Sequence, residues 1–204
     1  MKIIDSVSKG TSIVSFFTKN IESVHAKNAG DYAALSDIPL LICVKFEDAD
    51  EVYSVLISES EVVIEEEEMI DFPHLTIKTS AAEWPLFLSY VREYAIAFER
   101  KKSEIAKVFR ISEALEKDVE GLDLVIELEV YDAKKRVMKS EIILNDYEPS
   151  PSAKKVKIKV QKATLDGLAD GTLKPVEAAK DLSISGALFK AAELGQLFLK
   201  HRLE

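Results

Sequence analysis

The chain has 204 residues, enough for one large domain or two of about a hundred residues each, and either would bury a sizeable core. Hydrophobic residues make up 47% of the chain and charged residues 31%, a balance that excludes a disordered or fibrous protein. Because the formal charge is −9 at pH 7, the molecule repels phosphate backbones and anionic lipid surfaces, and nucleic acid is not an expected partner.

Cysteine use and apolar run lengths predict the compartment. The single cysteine, Cys43, excludes an intrachain disulfide, and its apolar surroundings favour a small buried hydrophobe over a reactive thiol. The apolar run from Ile13 to Phe17 is too short for a signal peptide, and no run approaches the ~18 residues of a membrane span. We therefore expect a cytoplasmic protein without integral membrane association. The terminal residues Leu203 and Glu204 resemble a tag remnant.

The first elements are a helix and a group of short strands. A helix is predicted from an N-cap at Thr11 or Ser12 to about Lys27, with an apolar face of Ile13, Val14, Phe17, Ile21 and Val24. Short β-branched runs separated by acidic turns then predict strands, the first three forming an antiparallel meander. These runs are residues 40–46, 52–57, 62–64 and 75–78.

A second helix follows these strands. Residues 80–83 have the form of a capping box, although Pro85 places the true helix start two or three residues later. The apolar stripe of this helix consists of Trp84, Phe87, Leu88, Val91, Tyr94, Ala95 and Phe98. Lys101 and Lys102 fall where the stripe would continue, so we place a domain boundary there, between residues 1–101 and residues 102–202.

The second half repeats the order of elements. A helix ending at Gly121 is predicted from Ile105, Val108, Phe109, Leu115 and Val119. A strand of alternating apolar and charged residues follows at residues 122–131, and a second strand is placed at residues 136–144. Lysines alternate with apolar residues over residues 155–160, a pattern typical of a solvated or edge strand.

The last forty residues predict two short helices, a brief strand and a final helix. The short helices are placed near residues 162–168 and 176–179, and the strand at residues 182–184. The final helix is predicted to bury Leu188, Ala191, Ala192, Gly195, Phe198 and Leu199, with Gly195 allowing close approach of a neighbour. The recurrence of helix, strands and helix suggests an internal repeat.

Residues 157–179, which include Asp170, Gly171, Thr172, Leu173, Lys174 and Pro175, and then residues 182–186, resemble the end of a sterol-carrier-protein (type two) domain. That family closes with a strand, a helix, an Asp-Gly element, a short strand and a final helix. The first half resembles a second, reduced copy through residues 75–84. This likeness predicts an α+β fold of antiparallel or mixed sheets with helices packed on one face, possessing five strands per complete unit.

The resemblance implies a tunnel for a lipid or other apolar small molecule between the helices and the sheet. Such a pocket gains affinity from hydrocarbon removed from water and needs few polar anchors. Residues that could line it are Trp84, Phe87, Val91, Leu168, Leu188, Phe189, Leu194 and Phe198. The same apolar spacing is also typical of ordinary core packing, which remains the alternative for each of them.

No cofactor, metal site or catalytic group is predicted. His25, His74 and His201 lie in unrelated contexts and are interpreted as surface or loop histidines. The acidic run from Glu65 to Glu68 is interpreted as the solvated end of a hairpin strand. We expect a non-enzymatic carrier of a lipid-like ligand. The alternative is an interaction module on the same fold, without ligand and able to form a homodimer.

Overall fold

The computed structural model describes residues 7–26, 36–93, 111–170 and 172–201. Within these ranges, the side chains of residues 169, 170, 175, 176, 198 and 199 are also left undescribed. Predictions for the end of the first helix, for residues 94–109, for Gly171 and for the C-terminal pair lie outside these ranges. In the described chain, no helix combines the length and the apolar character that a membrane crossing requires.

Eight strands form one mixed sheet in the spatial order β3-β2-β1-β4-β6-β5-β7-β8. The strands are β1 (Leu40–Phe46), β2 (Glu51–Ile57), β3 (Val62–Glu65), β4 (Leu75–Thr79), β5 (Leu124–Asp132), β6 (Lys135–Leu144), β7 (Lys154–Gln161) and β8 (Ser183–Gly186). The predicted meander of β1, β2 and β3 is confirmed, because these strands pair antiparallel in sequence. The fold is therefore α+β with a mixed sheet.

The two halves of the chain join in the middle of this sheet. β4 pairs antiparallel with β6, with Leu75 opposite Leu144 and Lys78 opposite Glu141. In each half a hairpin is extended by a strand parallel to its first member, since β4 runs parallel to β1 and β7 runs parallel to β5. The described part of residues 102–202 contributes four strands, β5 to β8, one fewer than the resemblance implies.

Three of the described helices begin at a serine cap, and the sequence predicts two of these caps, at Ser12 and Ser80. The described helices are α1 (13–26, with a π-helical stretch at Phe16–Asn20), α2 (84–93, preceded by a 3₁₀ turn at Ala81–Glu83), α3 (Glu113–Glu120), α4 (Lys162–Asp170), α5 (Pro175–Ala178, followed by a 3₁₀ turn at Ala179–Asp181) and α6 (Leu188–Lys200). The hydroxyls of Ser12, Ser80 and Ser112 each accept a backbone N–H of the first turn. Such caps satisfy donors that a helix start otherwise leaves unpaired.

Three predictions about helices are wrong. The helix ending at Gly121 does not extend back through Ser112, because Ser112 has extended backbone angles and Ile111 forms a bridge with Ser36. In α1, Val14 is exposed, so it lies outside the apolar face that the sequence assigns to it. In α6, Ala191 and Leu194 pack inward with Ala187 and Leu197, so Leu188 lies outside the buried face.

Gly195 does not permit a close approach, since a Cβ built there would meet no atom within 4 Å. The glycine that the fold requires is Gly186, with φ of +89°. A Cβ there would lie 2.4 Å from the Lys155 carbonyl oxygen. Only glycine therefore fits where β8 passes the backbone of Lys155 in β7.

The lysine strand β7 is internal and not an edge, because it pairs with β5 on one side and β8 on the other. The edges are β3 and β8. The sequence predicts that β7 is either a solvated strand or an edge strand, and only one of its faces is solvated. Lys155, Lys157 and Lys159 lie on that face, whereas Val156 and Val160 are buried on the other.

The described helices cover one side of the sheet, here called the helix side. Val44 and Phe46 pack there with an aromatic cluster in which Phe17 stacks on Tyr53 at 4.3 Å. Val156 packs with α6, and Val130 packs with residues of α2 and α4. These clusters lie along the same side, and Cys43, Val125 and Ile143 are buried on the opposite side of the sheet.

Candidate functional site

A strip of half-buried apolar residues crosses the centre of the sheet on its helix side. Ile77 of β4 lies opposite Ile142 of β6, which lies opposite Ile126 of β5. Leu75 and Leu144 form the next paired row. These five residues, which we call the central strip, are half-buried although their strands are the innermost of the eight. Ile126 and Leu144 pack against the cluster of Val156, whereas Ile77 and Ile142 belong to none of the three core clusters formed by the described residues.

The same row of the sheet is buried at both ends of the strip. Val44 pairs beside Ile77 and belongs to the cluster of Phe17 and Trp84. Val156 pairs beside Ile126 and belongs to the cluster of α6. The strip therefore lies between two helix-covered cores on the same side of the sheet.

Two buried hydroxyl groups end the strip along the strand direction. Ser140 is the next residue after Ile142 on the helix side of β6, counting towards its N-terminal end. Thr79 is the next residue after Ile77 on the helix side of β4, counting towards its C-terminal end. The Ser140 hydroxyl donates to the Thr79 hydroxyl at 3.3 Å, and Thr79 donates to the Lys139 carbonyl oxygen at 3.4 Å. Each hydroxyl keeps a lone pair that can accept from a polar ligand group.

Two of the predicted lining residues of α2 lie at the core that contains Phe17 and Val44, which we call the first core. Trp84 is buried, contacts Phe16 and Phe46 edge to face, and donates its indole N–H to the Thr11 carbonyl oxygen at 2.8 Å. Phe87 is half-buried and lies between two core clusters. Val91 is half-buried one turn further along the helix.

The predicted lining residues of the second half do not converge. Leu168 is half-buried in α4, and Leu194 packs from α6 onto the core around Val156. Leu188 is exposed, and Phe189 is 94% exposed. Phe198 lies in α6, but its side chain belongs to the part left undescribed.

The opposite side of the sheet carries a ladder of ion pairs, and we call it the charged side. Lys157 of β7 lies 2.7 Å from Glu127 and 2.8 Å from Glu129, both on β5. Lys139 of β6 contacts Glu127, and Lys155 of β7 contacts Glu141 of β6 at 3.1 Å. Opposite charges placed across neighbouring strands stabilise their register.

Glu129 is the most perturbed carboxylate of this ladder. Its side chain is only 5% exposed. The hydrogen bond from Lys157 lowers the pKa of Glu129 to about 2, and a hydrogen bond from the Tyr131 hydroxyl acts in the same direction. The group is therefore held as a carboxylate, which suits a structural ion pair better than proton transfer at neutral pH.

A second charged group ties two loops to the sheet. The Lys45 ammonium lies 2.6 Å from Glu68 and 2.8 Å from Glu148, and Lys78 also pairs with Glu148. Burial opposes ionisation of Glu148, but the two lysines hold its pKa below the usual value. The other carboxylates of the run from Glu65 are exposed, as the sequence predicts.

Each histidine side chain makes a hydrogen bond to a residue far away in the sequence. His74 accepts the Leu41 N–H on Nδ1 at 3.0 Å, which leaves Nε2 to donate to Glu116 at 2.9 Å. His25 contacts the Ser58 carbonyl oxygen and His201 contacts Asp118, both at 2.6 Å. Among the described residues, no three His, Cys, Asp or Glu side chains form a group able to hold a metal ion.

The described residues also line three open clefts, and only one of them touches the central strip, through Leu144. The largest of them, about 450 Å³, is lined by His74, Glu116, Leu41 and Phe72 among other residues. The other two, about 360 Å³ each, are lined mainly by polar groups around Asp123 and around Lys78. None of these three clefts contains a predicted lining residue. Cys43 lies elsewhere, fully buried, and burial raises the pKa of its thiol.

Comparison of the chain with protein-family models, with curated proteins and with solved structures finds no match in any of the three. The function of the chain is therefore inferred from the geometry of the sheet and its helices.

The central strip escapes a reading of the sequence because it depends on pairing between the halves. The alternation of β5 assigns Ile126 to an apolar face, and residues 75–78 and 136–144 are predicted as strands. Nothing local indicates that β4 and β6 are neighbours. The closest available signal is the placement of apolar residues at alternate positions, which assigns Leu75 and Ile77 to one face of their strand and Ile142 and Leu144 to one face of theirs.

Proposed function

We propose that the chain is a non-enzymatic carrier that binds a lipid-like apolar ligand against the central strip. The supporting observation is that Ile77, Ile142 and Ile126 are only half-buried and that, among the described residues, Ile77 and Ile142 join neither of the two well-buried cores beside them. Burial of hydrocarbon contributes about 0.8 kcal/mol per methylene, so about ten methylenes supply about 8 kcal/mol before the costs of association. A fatty acyl chain offers enough methylenes for micromolar affinity.

The buried pair of Thr79 and Ser140 gives the ligand an orientation. Hydrogen-bond acceptors at one end of an apolar strip favour a ligand with a hydroxyl or protonated carboxyl at one end and hydrocarbon at the other. The ligand class that we propose is therefore a long-chain fatty acid, fatty alcohol or sterol.

We further propose that the chain is a duplicated, sterol-carrier-like fold with a reduced N-terminal unit. Support comes from the recurrence of a hairpin extended by a parallel strand, β2-β1-β4 in one half and β6-β5-β7 in the other. A helix follows the parallel strand in both halves. The ligand would then lie at the junction of the two units.

A fluorescent fatty acid displaced by unlabelled lipids tests the carrier proposal. Ile142→Trp fills the strip and is expected to weaken binding at least about tenfold, because it removes the space that the chain of the ligand would occupy. Val63→Trp is the matched control, since Val63 is also half-buried but lies on the edge strand β3, on the charged side. Circular dichroism and thermal unfolding check that both variants fold.

Absence of binding by the wild-type chain at micromolar lipid concentrations would refute the proposal. An equal loss of binding in the two tryptophan variants would place the ligand away from the central strip.

A further inference from the structure

The two edges of the sheet carry opposite charge. From residue 46 to residue 77, around the edge strand β3, the chain has eleven Asp and Glu residues and no Lys or Arg. From residue 154 to residue 190, which includes β7 and the edge strand β8, it has eight lysines and four acidic residues. One end of the sheet is therefore acidic and the other basic, although the chain as a whole has a net charge of −9.

Both edge strands carry apolar side chains that are at least partly accessible to solvent. β8 is exposed throughout, and Ile184 is 44% exposed on its helix side. β3 places Val62 and Ile64 on the same side, half-buried against the first core. Exposed edge strands with apolar residues pair readily with other strands. Leu188 and Phe189 extend the exposed apolar surface beside β8.

The strand directions allow one copy to continue the sheet of another. Five of the seven pairings between β3 and β8 are antiparallel, so these two strands run in opposite directions. If two copies align with their helix sides together, β8 of one copy meets β3 of the next as an antiparallel pair. In one register Ile184 lies beside Ile64, and Ser183 lies beside Glu65.

That register also brings opposite charges together. Lys159 of β7 is the pairing neighbour of Ser183, and both lie on the charged side. Lys159 contacts the Tyr131 ring at 5.9 Å and has no salt bridge to another described residue. Because a serine is small, the lysine side chain can reach across it to Glu65 of the next copy.

We propose that copies of this chain associate head to tail, with the basic β8 edge of one copy pairing antiparallel with the acidic β3 edge of the next. Such a contact is heterologous, and it produces an open chain or a ring and not a two-fold dimer. Strands of four residues bury little area, so the association is weak. It is independent of ligand binding at the central strip.

Sedimentation velocity at about 0.15 M salt, over protein concentrations up to several hundred micromolar, tests the proposal. The wild-type chain is expected to show mass that rises with concentration beyond that of a dimer. Lys159→Glu and Glu65→Lys are each expected to weaken association about tenfold, since each replaces an attractive contact with a like-charge contact. Lys134→Glu, in the exposed hairpin turn between β5 and β6, is the charge-matched control.

A mixture of the two single variants provides the decisive comparison. Lys159→Glu chains and Glu65→Lys chains repel their own kind but present complementary edges to each other, so the equimolar mixture is expected to regain association. A wild-type chain that stays single at all concentrations would overturn the proposal. A closed dimer unaffected by either variant, a mixture that fails to associate, or an equal loss in Lys134→Glu would also overturn it.

Discussion

The Lys157 ammonium lies 2.8 Å from the Glu129 carboxylate and links β7 to β5 across the charged side of the sheet. The two strands are parallel neighbours from different parts of the second half. This contact ties a helix-flanked strand to the hairpin before it, on the side away from the central strip. Its contribution to stability depends on the ionisation of Glu129.

Replacing Glu129 with Gln is expected to remove this contribution. The pKa of Glu129 is about 2 in the folded chain, below its ordinary value of 4.5. The folded state therefore binds the proton less tightly than the unfolded chain, so the stabilisation is present above pH 4.5 and is lost as the pH falls towards 2. We expect Glu129→Gln to cost about 2 kcal/mol at neutral pH and progressively less in acid.

Urea titrations at several pH values measure this effect. Glu120→Gln, at the exposed end of α3, is the control and is expected to change the free energy of unfolding by less than about 0.5 kcal/mol. A Glu129→Gln deficit that is equally large in acid and at neutral pH would show that the ion pair is not its cause.

Gly186→Ala is expected to destabilise the sheet edge. Its backbone has a positive φ, and a Cβ would overlap the Lys155 carbonyl oxygen, so either β8 leaves β7 or both strands shift. We expect a loss of about 2 kcal/mol or more, with faster hydrogen exchange in β8. Gly195→Ala is the matched control. It lies in α6 with open space around it, and it is expected to stabilise the chain by about 0.5 to 1 kcal/mol.

Substitutions at His74 distinguish the contributions of its two ring nitrogens to the stability of the fold. Asn can present an oxygen near the position of Nδ1 and keep the bond from the Leu41 N–H, whereas Gln reaches the position of Nε2 instead. Leaving the buried Leu41 amide without an acceptor costs about 1 to 3 kcal/mol. We expect His74→Gln to be less stable than His74→Asn, with faster hydrogen exchange at the Leu41 amide. Equal exchange rates in the two variants would contradict this role of Nδ1.

Local patterns predict most individual elements. Alternation of apolar and charged residues identifies β5, and the spacing of serine caps from apolar runs identifies the starts of α1 and α2. These features depend on hydrogen bonds and burial within a few residues. They are therefore legible in the sequence.

Long-range pairing explains the errors. The helix expected to run through Ser112 begins at Glu113 instead, because Ile111 pairs with Ser36, about seventy-five residues away along the chain. The lysines of β7 resemble an edge pattern, yet acidic residues of β5 and β6 pair with Lys155 and Lys157 within the sheet. The buried face of α6 depends on where the helix lies on the sheet. The central strip depends on which strands are neighbours within the sheet. Neither position is encoded in local periodicity.

The most direct test of ligand binding at the central strip is a methyl NMR titration of the isoleucine-labelled chain with a long-chain fatty acid. Ile143 is an internal control, because it neighbours Ile142 in sequence but is buried on the charged side. We predict that the methyl signals of Ile77, Ile126 and Ile142 shift together with one apparent affinity, while the Ile143 signal stays in place. Saturating fatty acid that leaves those three signals unchanged would contradict the account.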